Sequence, residues 1–139
     1  MRKIVSIVVS EVVVAELERV FKTLMDHGSY PDWWHVPAKI LPGDVVVFHP
    51  LWFVTIKIRI EKRPERNQIY FHYIEGPIVG LGVWKLAWGE DERSTEVSYS
   101  VDIRARNYLF QKVLESSLFR KRHERDIRRL IESVECLSR

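Results

Sequence analysis

The chain has 139 residues, a usual size for one domain and enough for one sizeable hydrophobic core. Hydrophobic residues make up 46% and charged residues 29%, with six glycines and six prolines, which excludes an intrinsically disordered or low-complexity protein. The net charge of +3 is modest but uneven, because basic residues concentrate between Arg104 and Arg129. Charged residues greatly outnumber Asn and Gln, a balance typical of thermophilic proteins.

The N-terminal segment places two basic residues before an apolar run, as a signal peptide does. Glu11 interrupts that run, and no small-residue cleavage site follows it. No segment approaches the ~20 apolar residues of a transmembrane helix. We therefore expect a cytoplasmic protein without a transmembrane segment. Cys136 is the single cysteine, so an intrachain disulfide and a thiolate zinc site are both excluded.

The first third of the chain predicts a strand and two helical segments. Residues 3–9 are rich in β-branched types and predict a short strand. An amphipathic helix follows and ends near Gly28, because apolar residues recur at spacings of three and four: Val13, Leu17, Val20, Phe21 and Leu24. The segment 29–34 predicts one helical turn with Pro31 early in it, and Pro37 ends that turn.

From Val45 to Arg104, apolar residues alternate with polar ones, which predicts five strands with one solvated face. Short turns connect these strands and leave no room for crossover helices, so the sheet is expected to be antiparallel. Asn107 is a candidate cap for one long helix that continues to about Glu135. The predicted order β-α-α-β-β-β-β-β-α forms one α+β domain, residues 1–139, with a curved six-stranded sheet wrapped on the last helix.

Polar residues interrupt the face of the last helix that must meet the sheet. The apolar positions of this face lie toward its two ends, and the middle of the same face carries five polar residues: Ser116, Ser117, Arg120, His123 and Glu124. We interpret this polar stretch as the wall or mouth of a cavity between sheet and helix. The adjacent indoles of Trp33 and Trp34 must cover apolar surface. We expect Trp34 to face the cavity and Trp33 to be packed or partly exposed; in the alternative, both fill the core.

The expected ligand-binding residues are inner-face residues of the strands, Trp34, and several positions on the last helix. They are Trp34, Phe48, Trp52, Ile56, Ile58, Phe71, Tyr73, Trp84, Tyr99, Val101, Val113, Ser117, Arg120 and His123.

The element order resembles the START-like or helix-grip (SRPBCC) superfamily, which includes the birch-pollen allergen group. The residues that carry the resemblance are Tyr30-Pro31-Asp32-Trp33-Trp34, Glu75-Gly76-Pro77, Gly80, Gly82-Val83-Trp84-Lys85-Leu86 and Thr95-Glu96-Val97-Ser98-Tyr99. The chain looks most similar to the polyketide cyclase/dehydrase and coenzyme Q-binding branch, over its whole length. The resemblance implies a small hydrophobic ligand, such as a lipid, an isoprenoid quinone or a polyketide-like aromatic, held between the sheet and the C-terminal helix. Because such proteins include both carriers and enzymes, it does not separate binding from catalysis.

The sequence carries no motif for metal, nucleotide or nucleophilic chemistry. The five histidines form neither HExxH nor HxH. GxSxG, SxxK and Walker motifs are absent, and Gly80-Leu81-Gly82 lacks the third glycine of a dinucleotide-binding loop. We expect no metal and no cofactor, and favour a binding protein over an enzyme. The alternative is a cyclase or aromatase that uses pocket side chains for acid–base chemistry: Arg120, His123, Tyr73 and Tyr99.

A second alternative is a ribosome- or RNA-associated factor, since the segment 119–125 is strongly basic and related ribosome-association proteins exist. On a helix these charges spread around the cylinder. Glu115, Glu124 and Asp126 stand where they can form i,i+4 pairs with them. We therefore favour a solvated helix face over a nucleic-acid interface. The sequence leaves the oligomeric state open.

Overall fold

The computed structural model describes residues 3–51 and 54–139, without the side chain of Leu51. Trp52, one of the predicted ligand-binding residues, lies outside the described residues. The strands and helices are β1 Val5–Val13, α1 Leu17–Met25, α2 Tyr30–Trp33, β2 Ala38–Leu41, β3 Val45–Leu51, β4 Val54–Arg63, β5 Gln68–Glu75, β6 Ile78–Trp88, β7 Thr95–Ala105, α3 Tyr108–Leu114 and α4 Ser117–Ser138.

The strands form one antiparallel sheet in the order β1-β7-β6-β5-β4-β3-β2. The predicted α+β architecture and antiparallel connections are confirmed. The strand number differs, because the described residues form seven strands and not six. The additional strand is β2, which pairs four residues with β3, Ala38 lying opposite Phe48. It follows Pro37 at the sheet edge and is too short to show a clear alternation of apolar residues.

Strand β6 bends closely over β7 at two glycines. At Gly80, where φ is +151°, a Cβ atom would lie 2.1 Å from the carbonyl oxygen of Asp102 on β7. At Gly82 it would lie 2.1 Å from the hydroxyl oxygen of Tyr99. Glycine at these positions allows the sheet to curve while an aromatic side chain lies across its inner face.

The predicted single C-terminal helix is two helices, α3 and α4, separated at Glu115 and Ser116. Asn107 caps α3 as expected, its side chain accepting a hydrogen bond from the Phe110 backbone N–H at 2.9 Å. Ser116 Oγ accepts from the Phe119 N–H at 3.2 Å and donates to the Val113 carbonyl at 2.7 Å. Ser116 thus ends one helix and begins the next.

Helix α4 is buried along only part of its length. Its buried residues are Ile127, Leu130, Ile131, Val134 and Ser138. This half packs against β1 and α1, and together with the inner face of the sheet it forms the hydrophobic core. No residue between Ser117 and Asp126 is buried. The N-terminal half of α4 therefore has no fully buried side chain, although Phe119 packs against the core.

None of the helices in the described parts of the chain is long and apolar enough to cross a membrane.

Candidate ligand-binding site

Aromatic side chains from four strands and the α2 segment meet on the inner face of the sheet. The Trp34 ring lies 5.3 Å from Phe48, 6.0 Å from Phe71 and 6.5 Å from Trp84, measured between centroids. Tyr99 lies 4.6 Å from Trp84 and 6.2 Å from Phe71. These rings form a continuous aromatic wall beneath the N-terminal half of α4.

The short helix α2 directs Trp34 toward this wall. Tyr30 is fully buried, and its hydroxyl donates to the Leu24 carbonyl at the end of α1. The Trp33 indole N–H donates to Ser29 Oγ at 2.9 Å, which fixes that ring beside α2. Trp34 follows in extended backbone conformation, so its indole is directed across the sheet. Both tryptophans are half-buried.

Two tyrosines supply a hydroxyl pair on the inner face. The Tyr73 and Tyr99 hydroxyl oxygens are 3.1 Å apart and share a hydrogen bond. Gly82 leaves the space that the Tyr99 hydroxyl occupies. Burial raises the pKa of both phenols, so both are protonated at neutral pH and can donate or accept a hydrogen bond.

His123 reaches the same region from α4. Its ring stacks on Phe119 at 5.6 Å, and its centroid lies 6.5 Å from that of Tyr99. Burial lowers the pKa of His123, against an opposing effect of the Asp126 carboxylate, so the ring is neutral at pH 7. Its Nε2 atom is buried and has no hydrogen-bond partner among the described residues.

A second unpartnered polar atom belongs to Trp84, whose ring lies 4.6 Å from that of Tyr99. The Trp84 side chain is fully buried, and its Nε1 atom also lacks a hydrogen-bond partner among the described residues. Leaving such a buried group unsatisfied costs about 1–3 kcal/mol. The polar groups that the aromatic wall carries are therefore the Trp84 N–H, the His123 ring and the tyrosine hydroxyl pair. Such an arrangement can orient an apolar molecule through one or two polar atoms.

Several of these side chains keep accessible surface although they lie inside the fold. Tyr73 and His123 are half-buried even though burial shifts the pKa of each. Phe119 and Ile56 are half-buried as well. The rings at the centre of the wall, Phe71, Trp84 and Tyr99, are by contrast 3% exposed or less.

The predicted ligand-binding residues fall into three groups. Those on the inner face of the sheet or packed against it are Trp34, Phe48, Ile56, Ile58, Phe71, Tyr73, Trp84, Tyr99 and Val101. His123 meets them from α4. Val113, Ser117 and Arg120 are solvent-exposed and do not contact the wall. The sequence places them on one face of a single continuous helix, but the structure divides that helix at Glu115 and Ser116. Arg120 lies on the exposed side of α4.

Two residues of the site were absent from the predicted set. Phe119 precedes His123 by one helical turn, a spacing that already indicated a shared face. The role of Gly82 is not visible in the sequence, because it depends on the contact with Tyr99 on the neighbouring strand.

The described residues contain no group of three or more His, Cys, Asp or Glu side chains that could hold a metal ion. No protein-family model matches the sequence, and no curated protein matches it either.

Solved structures share the fold over nearly the whole chain. The Zhui aromatase/cyclase of Streptomyces sp. R1128 superimposes with a TM-score of 0.78 at 19% identity, covering 97% of this chain and 93% of the other. A START superfamily protein of Mycobacterium smegmatis gives 0.74 at 14% identity, covering 96% of each chain. Norcoclaurine synthase of Thalictrum flavum, in complex with dopamine and hydroxybenzaldehyde, gives 0.70 at 11% identity, covering 97% and 87%. The chain therefore has the START-like helix-grip fold.

Proposed function

We propose that this protein binds or carries a small, planar, hydrophobic molecule that presents a carbonyl or hydroxyl oxygen. The site lies between the aromatic wall of the sheet and the N-terminal half of α4. The residues proposed to bind the ligand are Trp34, Phe71, Tyr73, Trp84, Tyr99, Phe119 and His123.

The observation that carries this proposal is the pair of buried polar atoms, Trp84 Nε1 and His123 Nε2, that have no partner among the described residues. A ligand oxygen that accepts from the indole N–H, or that pairs with the imidazole, removes an unfavourable desolvation. Because Trp84 has no accessible surface, the side chains beside it must move aside for the ligand to reach its N–H. The aromatic rings around these atoms favour a flat ligand, which fits a quinone or a polyketide-like aromatic better than a flexible acyl chain. Dopamine and hydroxybenzaldehyde, bound by norcoclaurine synthase, are small aromatic molecules of this kind.

A pair of probes with matched shape tests the proposal. Acetylnaphthalene carries a carbonyl oxygen, and ethylnaphthalene does not. By isothermal titration calorimetry, we expect the ketone to bind roughly 5- to 100-fold more tightly, the equivalent of satisfying one buried donor. Trp84→Phe should remove that preference while changing the affinity for ethylnaphthalene little.

Trp88→Phe is the matched control, because Trp88 lies on the same strand but is 57% exposed. This variant should retain the preference for the ketone. Equal affinities for the two probes in the wild-type protein would contradict the proposal, and so would a preference that survives Trp84→Phe. Native mass spectrometry of protein purified from its own source would then identify the natural ligand.

The tyrosine pair beside a neutral histidine favours one second candidate, an aromatase/cyclase-type enzyme. An aldol ring closure needs a base that removes a proton from the attacking methylene carbon. It also needs an acid that gives a proton to the carbonyl oxygen as the carbon–carbon bond forms. His123 suits the first role, and Tyr99 or Tyr73 the second. Arg120, also a candidate from the sequence, is exposed and is assigned no role in this mechanism.

The second candidate is tested with an aromatic triketone that cyclises slowly on its own. The enzyme should accelerate cyclisation, and Tyr99→Phe should reduce the acceleration by ~10²-fold or more while binding of acetylnaphthalene persists. Ketone binding without acceleration would leave carriage as the function.

A further inference from the structure

Large apolar side chains are exposed along α3 and at the start of α4. Leu109 is 74% exposed and Leu118 is 77% exposed, with Tyr108 at 69% and Val113 at 49%. Ser116 holds the two helix ends together, because its hydroxyl bonds both the Val113 carbonyl and the Phe119 N–H. We call Tyr108, Leu109, Val113 and Leu118 the α3–α4 patch. Four large exposed apolar side chains on two consecutive helices indicate a surface that something else covers.

Basic side chains border this patch. Lys121, Arg122 and Arg125 follow Leu118 by three, four and seven positions, so they share one exposed face of α4 with it. Lys112 lies within α3, its ammonium 5.2 Å from the Tyr108 ring centroid. None of these four cations has a carboxylate within 4.0 Å among the described residues.

The i,i+4 ion pairs expected from the sequence are therefore not formed in the part of the chain that the structure describes. Glu115 instead accepts a hydrogen bond from the Gln111 amide at 2.9 Å, and Asp126 lies 3.9 Å from His35. The four cations of this face therefore form no ion pair within the described part of the chain. Together with the α3–α4 patch, these cations are complementary to a surface whose outer layer is negatively charged and whose interior is apolar.

From this we propose that the α3–α4 patch docks on the surface of an anionic lipid bilayer. The leucines and Val113 enter the boundary between headgroups and acyl chains, and the lysines and arginines pair with lipid phosphates. A single-stranded RNA would use the same cations and can stack a base on Tyr108, but it gains nothing from the exposed side chains of Leu109, Val113 and Leu118. The apolar half of the patch thus favours lipid.

The position of the patch gives the docking a consequence for the ligand site. Phe119 and His123 line the inner side of the same half of α4 whose outer side carries Leu118 and Arg122. The Arg106 side chain donates to the Gly76 and Ile74 carbonyls, so the start of α3 lies at the end of the sheet where β5 turns into β6. Docking would bring this end of the interior against the bilayer.

Co-sedimentation with vesicles tests the proposal without any ligand, so its outcome is independent of the probe titrations above. The protein should bind vesicles of phosphatidylcholine with about one-third phosphatidylglycerol, and bind phosphatidylcholine alone much more weakly. Replacing Lys121, Arg122 and Arg125 by Gln should weaken binding on the order of 100-fold, since each charge contributes roughly fivefold. Leu109→Ser with Leu118→Ser should weaken it roughly 10- to 100-fold at unchanged charge.

Two matched sets of substitutions serve as controls. Arg66→Gln, Lys85→Gln and Arg93→Gln remove three exposed charges at the opposite end of β5–β7. Val8→Ser with Val12→Ser removes two side chains, each 64% exposed, from β1. Both control variants should bind vesicles as the wild type does. The proposal is overturned if the anionic vesicles are not bound, if the controls lose binding equally, or if a single-stranded RNA is bound while vesicles are not.

Discussion

At the residue scale, replacing Trp34 distinguishes a ligand-binding role of this side chain from a purely structural role in the hydrophobic core. Its ring contacts Phe48, Phe71 and Trp84 but is only half-buried. Trp34→Ala should therefore weaken binding of acetylnaphthalene more than it lowers the melting temperature. We expect a stability loss below the ~3–5 kcal/mol typical of fully buried aromatic residues. Calorimetric titration and thermal unfolding measure the two effects.

Trp33→Ala is the matched comparison, because the neighbouring indole is also half-buried but is fixed to Ser29 beside α2. It should lower the melting temperature and leave probe affinity nearly unchanged. A Trp34→Ala variant that loses much stability and little affinity would show that Trp34 fills the core.

The close approach of Gly82 to Tyr99 predicts that a larger side chain at position 82 disrupts the tyrosine pair. A methyl group at this position would lie 2.1 Å from the Tyr99 hydroxyl oxygen and 2.7 Å from the ring carbon that bears it. Gly82→Ala must displace the phenol and break its hydrogen bond with Tyr73, which costs roughly 1–3 kcal/mol by overpacking. Urea unfolding measures the loss. Gly28→Ala, where the added methyl would meet its nearest atom at 3.6 Å, should change stability far less.

At the element scale, the sequence predicts most strands because alternation reports burial directly. The residues that alternate as apolar on β7, Val97, Tyr99, Val101 and Ile103, are all buried. The sequence does not predict the break between α3 and α4. A polar residue at such a position can lie within a continuous helix or cap a new one, and only the packing of the helix distinguishes the two. Ser116 is a favourable cap residue, but its spacing also fits a continuous helix. The unpartnered atoms of Trp84 and His123 are not visible in a sequence, since they depend on what the surrounding side chains leave unbonded.

Helix α4 should exchange its amide hydrogens unevenly. Its buried side chains begin at Ile127, so the first half is held mainly by its own hydrogen bonds and the Ser116 cap. We expect amides 121–124 to exchange faster than amides 127–134 in the free protein, as hydrogen-exchange mass spectrometry would show. Acetylnaphthalene should slow the first group selectively. Uniform protection along α4, or no change with the probe, would mean that this half already packs firmly on the sheet.

At the scale of the whole molecule, three histidines couple stability to pH. Burial lowers the pKa values of His27, His35 and His123 below their ordinary value of 6.5. Below that pH the unfolded chain takes up protons that the native state resists. Stability should therefore be full above pH 6.5 and decline as the pH falls through the interval down to the native pKa values. Hydrogen bonds from His72 and Arg63 lower the pKa of Glu61, so its contribution is lost separately, below its ordinary value of 4.5.

The His123 share of this dependence can be isolated with His123→Phe, which keeps a ring against Phe119 and removes the titrating group. Urea unfolding at pH 5 and pH 8 should show a smaller difference between the two pH values in the variant than in the wild type. A ligand that pairs with the neutral imidazole should also bind the wild type less tightly at pH 5 than at pH 8. If the affinity for acetylnaphthalene falls equally in both proteins as the pH is lowered from 8 to 5, His123 does not face the ligand. The Trp84 N–H would then be the group that orients the ligand.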